Sequence, residues 1–409
     1  MTAADGGEPA DLARAPKPLL ELRDRLPSVI DSPGALAGTV ERFAAGTGPV
    51  AIDAERASGH RYSSRAYLVQ LRQNDIGTAL VDPIPFRDLT GLGRAIAGAE
   101  WILHAATQDL PCLTELGMRP RTLFDTELAG RMLNYPRVGL ASLVEELLGF
   151  AMRKEHSAVD WSKRPLPQPW LLYAALDVEV LIELRERLAH ELVADGKLDW
   201  ARQEFTWLVH APPTPPRRDP WRRTAGIHRV RSRRGLAIVQ ALWETRDQIA
   251  RGQDATPTRI LRDAAICEAA IAQPAARQQL AALPGFRARN AQRYLSRWWG
   301  AVRAANGLPA ASLPVAGVHS DGPPPARAWA ESNPAAAARL GAAREALAAI
   351  ASSNRLPPEN LLAPDSIRRL AWDPPVDVSV ARVRDLLVGL HARPWQVDLT
   401  ADALANALA

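Results

Sequence analysis

Carboxylic acids occur at places in this sequence where regular structure would hold them in fixed positions. Asp53 and Glu55 lie at the end of an apolar segment, 49–55. Side chains two residues apart on a strand point to the same face, so both carboxylates should leave the strand together. Taken alone, this pair also fits two solvated acids at the end of a strand.

A further acid, Asp109, follows the apolar segment 101–105 and stands at the start of a predicted helix. One interpretation is an acid that favours the first turn of that helix. The alternative is a carboxylate that faces Asp53 and Glu55 across a crevice at the edge of the sheet, the usual ligand position in open α/β sheets.

Tyr173 and Asp177 lie four residues apart in a helical pattern, so the phenol and the carboxylate should share one helix face. Four acids and a tyrosine brought together have a chemical use. Two Mg²⁺ or Mn²⁺ ions need oxygen ligands, and a pair about 3.5–4 Å apart can stabilise both the attacking and the leaving oxygen of a phosphodiester. Without metal, such acids would repel one another.

The elements that would position these residues alternate between strand and helix patterns. Short apolar segments at 49–55, 66–72, 78–82 and 101–105 predict strands. Longer helical patterns cover about 86–98, 108–117, 139–148 and 168–193. This order predicts a mixed sheet covered by helices.

Two proline-rich stretches, 211–216 and about 308–327, divide the chain into folded units, because proline stiffens the backbone and removes a hydrogen-bond donor. The predicted units are an N-terminal tail (1–35), an α/β domain (36–210), a Pro/Arg-rich linker (211–227), an all-α domain (228–308), a Pro-rich linker (309–328) and a second all-α domain (329–409).

The two all-α domains look like copies of one module. Shifting the chain by 101 residues aligns nine identical residues within 241–274 and 342–375, including Pro257 and Pro274 with their counterparts. This is typical of a duplicated helical unit.

Two basic segments belong to the first all-α domain and the linker before it. Residues 217–234 hold eight arginines and one aspartate, and residues 287–303 hold five arginines and no acid. Arginine binds phosphates and aromatic rings stack on bases. The predicted nucleic-acid-binding residues are Arg287, Arg289, Arg293, Arg297 and Trp298. A solvated face above core tryptophans is the alternative.

Residues 36–210 resemble the ribonuclease D family, in the tyrosine subgroup of the DEDD exonucleases. The resemblance rests on segments 51–55, 65–71, 104–109 and 123–126, and above all on 160–166 followed by 173–178. It implies a ribonuclease H-like α/β fold and 3′→5′ exoribonuclease activity that releases mononucleotides. The implied metal ligands for two divalent ions are Asp53, Glu55, Asp109 and Asp177, with Tyr173 orienting the attacking water.

Two further residues near this implied site are assigned structural roles. Asp125 could be a carboxylate of the site, but capping a helix explains it as well, so it is left out of the metal set. His104 could be a general base, yet it lies in a predicted strand, where a packed histidine is the simpler interpretation.

Residues 228–308 resemble an HRDC domain, through 242–250, 257–261 and 283–286, and residues 329–409 would be a second, divergent copy. The resemblance to ribonuclease D implies RNA with a free 3′ end as partner, with tRNA precursors among the substrates. The first all-α domain would bind RNA, and the second would complete the scaffold of the protein.

The net charge and the number of cysteines agree with this interpretation. The 409 residues carry a net charge of +5, which suits a polyanion, and contain only two cysteines, so a disulfide framework is not expected. We expect a cytoplasmic protein without a signal peptide or membrane span. A 3′→5′ DNA exonuclease and a non-catalytic nucleic-acid-binding protein are the alternatives.

Overall fold

The structure is a computed structural model that describes residues 16–19, 21–153, 156, 158–212, 215–315 and 322–409. Residues 1–15 of the predicted tail lie outside the described residues. So do 213–214 of the first predicted linker and 316–321 of the second.

The centre of the first domain is a six-stranded sheet with strand order β2-β5-β4-β3-β6-β7. The strands of the chain are β1 (Lys17–Pro18), β2 (Val29–Ile30), β3 (Val50–Arg56), β4 (Ala66–Gln73), β5 (Gly77–Val81), β6 (Glu100–Leu103), β7 (Thr122–Asp125) and β8 (Phe150–Ala151). Strand β3 pairs antiparallel with β4 and parallel with β6. The predicted mixed sheet is confirmed.

Helices cover both faces of this sheet, so that every residue of the central strand β4 is buried. The helices of this domain are α1 (Pro33–Ala45), α2 (Thr90–Ala95), α3 (Leu110–Glu115), α4 (Thr126–Met132), α5 (Leu140–Leu148), α6 (Gln168–Glu179), α7 (Leu181–Ala194) and α8 (Leu198–His210). The predicted single helix over 168–193 is wrong, since it breaks at Val180 into α6 and α7.

The domain also begins before the predicted boundary at residue 36. Strand β2 adds to the edge of the sheet by pairing with β5, and α1 begins at Pro33. Farther upstream, β1 pairs with β8. The predicted tail therefore contains parts of the folded domain.

The second domain is all-helical, as predicted, and has a hydrophobic core of its own. Its helices are α9 (Arg233–Gln253), α10 (Pro257–Ile260), α11 (Asp263–Ala272), α12 (Arg277–Ala282), α13 (Arg289–Arg293) and α14 (Leu295–Gly307). Trp221 is buried in this core, so folded structure of the domain begins inside the predicted linker 211–227.

The last part of the chain forms α15 (Trp329–Ser332), α16 (Pro334–Ser353), α17 (Pro358–Leu361), α18 (Pro364–Trp372), α19 (Val380–Gly389) and α20 (Pro394–Leu408). Helices α16, α17 and α18 each begin 101 residues after α9, α10 and α11, respectively. No helix in the described part of the chain has the length and apolarity needed to cross a membrane.

These C-terminal helices share one continuous hydrophobic core with the first domain. The indole of Trp395 on α20 stacks on that of Trp200 on α8, with ring centroids 5.1 Å apart. Its Nε1 donates a 2.9 Å hydrogen bond to Glu204, which also accepts one from Arg393 at 2.7 Å. The C-terminal module is therefore packed onto the α/β domain as part of its core.

Candidate active site

Strand β3 carries two acids on one face. Asp53 and Glu55 are two residues apart and stand opposite Gln70 and Leu68 of β4 in the antiparallel register. The register shifts directly after Glu55, so regular pairing ends where the second acid leaves the sheet. Asp53 is half-buried and Glu55 is buried.

Gln70 is a member of this face that the sequence argument did not assign. It is fully buried and lies opposite Asp53, and its side-chain nitrogen and oxygen have no hydrogen-bond partner among the described residues. A buried amide normally has hydrogen-bond partners, so Gln70 is a buried polar group beside Asp53 that the packing of the strands does not explain.

Asp109 follows strand β6 after a sharp turn in which Ala105 has a φ of 58°. It stands just before α3, but its carboxylate caps no backbone N–H of that helix. Its Oδ1 instead lies 3.5 Å from Nη2 of Arg56, the residue after Glu55. The helix-capping interpretation of Asp109 is therefore wrong, and its carboxylate is buried beside the end of β3.

Asp125 has a different environment. Its Oδ1 accepts from the backbone N–H groups of Glu127 (2.9 Å) and Leu128 (3.1 Å) and so caps α4. The same carboxylate accepts from Ala105 (3.1 Å) and Ala106 (2.8 Å). It is thus held by four backbone donors from two segments, consistent with its exclusion from the predicted metal set.

The remaining predicted site residues come from α6. Tyr173 and Asp177 are one turn apart on this helix, which packs on strands β3, β4 and β5. One carboxylate oxygen from each of Asp53, Glu55 and Asp177 lies within 4.8 Å of the others. The structure thus brings together acids that are more than 120 residues apart in sequence.

All five predicted residues line one cavity of about 460 Å³. Its wall also includes Arg56, His104, Gln108, Glu127, Met152 and Arg153. The space is of the size usual for small-ligand sites, about 300–1,000 Å³.

Burial raises the pKa values of the acids in this cavity. Desolvation, followed by repulsion from Asp53, raises the pKa of Glu55 to about 10 and that of Asp109 to about 8. Desolvation also raises the pKa of Asp53 and, together with the charge of Asp53, raises that of Asp177 well above its usual range. The cluster therefore holds negative charge poorly unless a cation balances it.

Tyr173 and His104 are both neutral in this environment. Desolvation and the charges of Asp177 and Glu55 raise the pKa of Tyr173, so its phenol keeps its proton. Burial lowers the pKa of His104 to about 4, and its Nδ1 lies 2.9 Å from the Thr126 hydroxyl. These contacts agree with a packed histidine.

The acid cluster fits a divalent metal ion. Its donors are carboxylate oxygens, which Mg²⁺ and Mn²⁺ prefer. The raised pKa values of Glu55 and Asp109 agree with a site in which a bound cation would neutralise the acids.

Curated and solved relatives agree on what the chain is similar to. Ribonuclease D of Gluconacetobacter diazotrophicus is 31% identical over 360 residues, which cover 86% of this chain and 88% of that protein. The chain belongs to the ribonuclease D family. A crystal structure titled Escherichia coli RNase D, an exoribonuclease involved in structured RNA processing, matches 93% of the chain and 98% of its own, with 26% identity and a TM-score of 0.69.

A crystal structure of a Bifidobacterium adolescentis protein is more similar, with 37% identity and a TM-score of 0.87, and covers 96% of this chain and 99% of its own. Family models described as 3′-5′ exonuclease, HRDC domain and 3′ to 5′ exonuclease C-terminal domain match residues 27–193, 235–302 and 322–408, respectively. The predicted fold class, family and 3′→5′ exoribonuclease activity are confirmed. The interpretation of the last module as a second HRDC-like domain stays a prediction.

The HRDC domain of this ribonuclease D-family enzyme presents four of its five predicted RNA-binding residues to solvent. Arg287, Arg289, Arg293 and Arg297 are exposed. Trp298 is fully buried, and its indole N–H donates to the Ala291 carbonyl at 3.0 Å. The prediction that Trp298 stacks on a base is therefore wrong, because its ring belongs to the domain core.

Part of the basic segment 217–234 is structural. Arg234 donates to the carbonyls of Ala305 (2.8 Å) and Leu308 (2.7 Å), and Arg233 donates to that of Pro314 (3.1 Å). These contacts satisfy carbonyl groups at and beyond the end of α14. Two of the eight arginines at 217–234 thus stabilise the folded domain.

The loop that follows β3 connects the acid-lined cavity to the HRDC domain. Tyr62 donates to Asp247 at 2.8 Å, and the backbone N–H of Ser63 donates to Asp254 at 2.8 Å. His60 lies 2.9 Å from Arg259 on α10, and α10 packs against the arginine-bearing α13. The exposed arginines of α13 therefore belong to the part of the HRDC domain nearest this loop.

Proposed function

We propose that this enzyme hydrolyses RNA from its 3′ end, one nucleotide at a time, with two divalent metal ions held by Asp53, Glu55, Asp109 and Asp177. The observation that carries the proposal is the approach of three of these carboxylates to within 4.8 Å, in a cavity that the fourth also lines. When bound, the ions would neutralise the acids and stabilise the charge that develops on the phosphodiester oxygens.

Tyr173 is assigned to the attacking water. Its phenol lines the same cavity as Asp53, Glu55 and Asp177, and its raised pKa keeps the hydroxyl protonated at neutral pH. A protonated phenol offers one donor and an acceptor, so it can hold a water molecule in one orientation. Correct orientation of a nucleophile lowers the barrier without any covalent role for the tyrosine.

We assign to the HRDC domain the binding of the part of the RNA that precedes its 3′ end. Its exposed arginines on α13 and α14 offer phosphate contacts near the loop that connects to β3. We propose structured RNAs with short single-stranded 3′ ends, including tRNA precursors, as the substrates. The relative from Escherichia coli is described as acting in structured RNA processing, which supports this assignment.

The test uses the purified full chain and a 5′-labelled single-stranded RNA with a free 3′ hydroxyl. The same RNA with a blocked 3′ end and a DNA of equal sequence serve as controls. Each is incubated with Mg²⁺, Mn²⁺ or EDTA. The proposal expects a ladder that shortens from the 3′ end, mononucleotide products, and no reaction with EDTA or with the blocked end.

Two outcomes would contradict the proposal. Equal or faster degradation of DNA would make RNA the wrong substrate class. Undiminished hydrolysis after complete removal of divalent ions would make the metal assignment wrong. A tRNA precursor with a 3′ extension, compared with the mature tRNA, tests the substrate assignment: trimming should stop near the mature end.

A further inference from the structure

Arg56, the last residue of β3, lies in the wall of the acid-lined cavity. Successive side chains of a regular strand point to opposite faces, so the residue after Glu55 should point away from Asp53 and Glu55. The register of β3 and β4 shifts between Glu55 and Arg56, however, and such an irregularity can redirect a side chain. This shift explains how a cationic side chain reaches a cavity that is lined by acids.

The guanidinium of Arg56 forms an ion pair with Asp109. Its Nη2 lies 3.5 Å from Oδ1 of Asp109 and 3.4 Å from Oε1 of Gln108. The Arg56 side chain is 26% exposed and that of Asp109 only 7%, so the pair lies where the protein interior meets the cavity. In the parts of the chain that the structure describes, Arg56 is the only ion-pair partner of Asp109. The arginine is therefore the group that balances the charge of this carboxylate.

The contacts of Asp109 differ in kind from those of Asp125. Four backbone N–H groups donate to the Asp125 carboxylate at distances from 2.8 to 3.1 Å, and the fold keeps these donors in place. The partner of Asp109 is a side chain, which can rotate away. Both contacts of the Arg56 guanidinium are also longer than the about 2.7–2.9 Å of a strong charge-assisted hydrogen bond. Asp109 is thus an acid whose partner can be exchanged.

A metal ion at Asp109 would need the carboxylate that Arg56 contacts. Asp53, Glu55 and Asp177 each place one oxygen within 4.8 Å of the others, and Asp109 is not in this group. An ion held by those three acids leaves the ion pair undisturbed. An ion that takes Asp109 as a ligand meets the positive guanidinium, and like charges repel strongly where water is largely excluded. Two ions in this cavity should therefore differ in affinity.

We propose that Arg56 controls the binding of the second metal ion: its guanidinium neutralises Asp109 in the protein without metal and has to leave this carboxylate before an ion binds there. This assignment rests on the proposed function, which places two ions among these acids. Arg56 is a positioning residue, because it acts through Asp109. Until the ion binds, the arginine supplies part of the positive charge that the ion would bring.

The experiment measures Mn²⁺ binding by calorimetric titration of the full chain without RNA, so the result does not depend on hydrolysis. Wild type is compared with Arg56→Gln and with Arg56→Lys, which keeps the charge. Arg153→Gln removes one positive charge from the wall of the same cavity and is the control for charge alone. Asp109→Asn, alone and together with Arg56→Gln, completes a double-mutant cycle. Thermal denaturation without metal checks that each variant is folded.

Wild type should bind one Mn²⁺ tightly and one weakly. Arg56→Gln should bind the weak ion about tenfold more tightly, a size usual for two coupled binding events, and should change the tight ion little. If the weak ion is too weak to detect in wild type, it should become measurable in Arg56→Gln. Arg56→Lys should resemble wild type, and Arg153→Gln should gain less than Arg56→Gln. With Asn at position 109, Arg56→Gln should have little further effect, since the ion pair is already lost.

Three results would overturn the assignment: no gain in Arg56→Gln, an equal gain in Arg153→Gln, or the same gain with and without the Asp109 carboxylate. The last two would show that Arg56 acts only through its contribution to the total charge. Failure of the proposed function has a separate signature. In that case wild type would bind no Mn²⁺, or Asp53→Asn would bind it as wild type does.

Discussion

Asp125 accepts a hydrogen bond from the backbone N–H of Ala106 at 2.8 Å, which ties the end of β7 to the turn that leads to Asp109. The same carboxylate caps α4. Asp125 thus holds in place the turn that leads to a predicted metal ligand.

Asp125→Ala should destabilise the protein by about 2–4 kcal/mol, because it removes a helix cap and leaves buried backbone donors unpaired. Activity should fall about tenfold as the turn before Asp109 loosens. Chemical denaturation and steady-state kinetics measure the two effects. Asp88→Ala removes an exposed contact to Thr90 and should have a smaller effect on stability. Complete inactivity of a normally stable Asp125→Asn would indicate a metal ligand instead.

Asp53→Asn and Asp177→Asn should each reduce RNA hydrolysis more than about a hundredfold, comparable to loss of a major electrostatic stabiliser. Both should fold normally, because each replaces a carboxylate whose charged form burial disfavours by a neutral group of the same shape. Hydrolysis rates with Mg²⁺ and circular dichroism are the measurements. Asp402→Asn, on an exposed acid of α20, should behave as wild type. Wild-type rates in both site variants would show that the metal assignment is wrong.

The metal-free protein should lose stability as the pH rises. Glu55 has an ordinary pKa of 4.5 and a folded-state pKa of about 10, and Asp109 rises from 3.8 to about 8. The folded state therefore holds protons more tightly than the unfolded state, and stability falls with increasing pH between about 4 and 10.

Melting temperatures in EDTA should accordingly decrease from pH 6 to pH 9, and Mg²⁺ or Mn²⁺ should raise them more at the higher pH. Glu55→Gln should flatten the decrease in EDTA. Glu41→Gln, an exposed site on α1, should leave it unchanged. If the melting temperature of Glu55→Gln in EDTA varied with pH as it does in wild type, the raised pKa of Glu55 would be contradicted.

Tyr173→Phe should lower turnover about 10- to 100-fold, the effect of losing the orientation of one reactant. Binding of Mn²⁺ should be nearly unchanged, since the phenol is assigned to water and not to a metal. Single-turnover kinetics and calorimetric titration separate the two properties. Tyr135→Phe, which removes a hydrogen bond to Glu191 between two residues that do not line the acid-lined cavity, is the control. An unaltered rate in Tyr173→Phe would remove the phenol from the mechanism.

Replacing both Arg293 and Arg297 with Gln should weaken RNA binding and flatten its salt dependence. The slope of log K against log salt should drop by about 0.7 for each lost contact to single-stranded RNA. Hydrolysis of a short bound oligonucleotide should stay near wild type. Arg382→Gln with Arg384→Gln makes the same charge change on exposed residues of α19. If both double variants show the wild-type slope, RNA binds elsewhere.

The sequence predicts the site better than its surroundings. Asp53 and Glu55 lie in the last half of a largely apolar strand, and Tyr173 and Asp177 have helical spacing, so local periodicity and the resemblance are enough to group them. Periodicity does not show the break at Val180, since no proline or glycine marks it. The two-residue strands β1, β2 and β8 depend on pairing partners distant in sequence, which local patterns do not contain.

Burial of particular aromatic and basic residues was the other information missing from the sequence. Trp298 lies among arginines in the chain, but its helix turns the indole into the core while Arg297 faces solvent. The contacts of Arg233 and Arg234 with carbonyl groups likewise depend on where α14 ends in space. Amino-acid composition alone does not distinguish arginines that stabilise the folded domain from solvent-exposed arginines that can bind phosphate.

The shared core of the α/β domain and the C-terminal module sets an order for folding during synthesis. Glu204 on α8 meets Trp395, which is translated 191 residues later. At about 5–20 residues per second, this interval lasts roughly 10–40 s. The HRDC domain, with its own core, can fold within that time. The apolar surface of α8 around Trp200 stays uncovered by α20 during that interval.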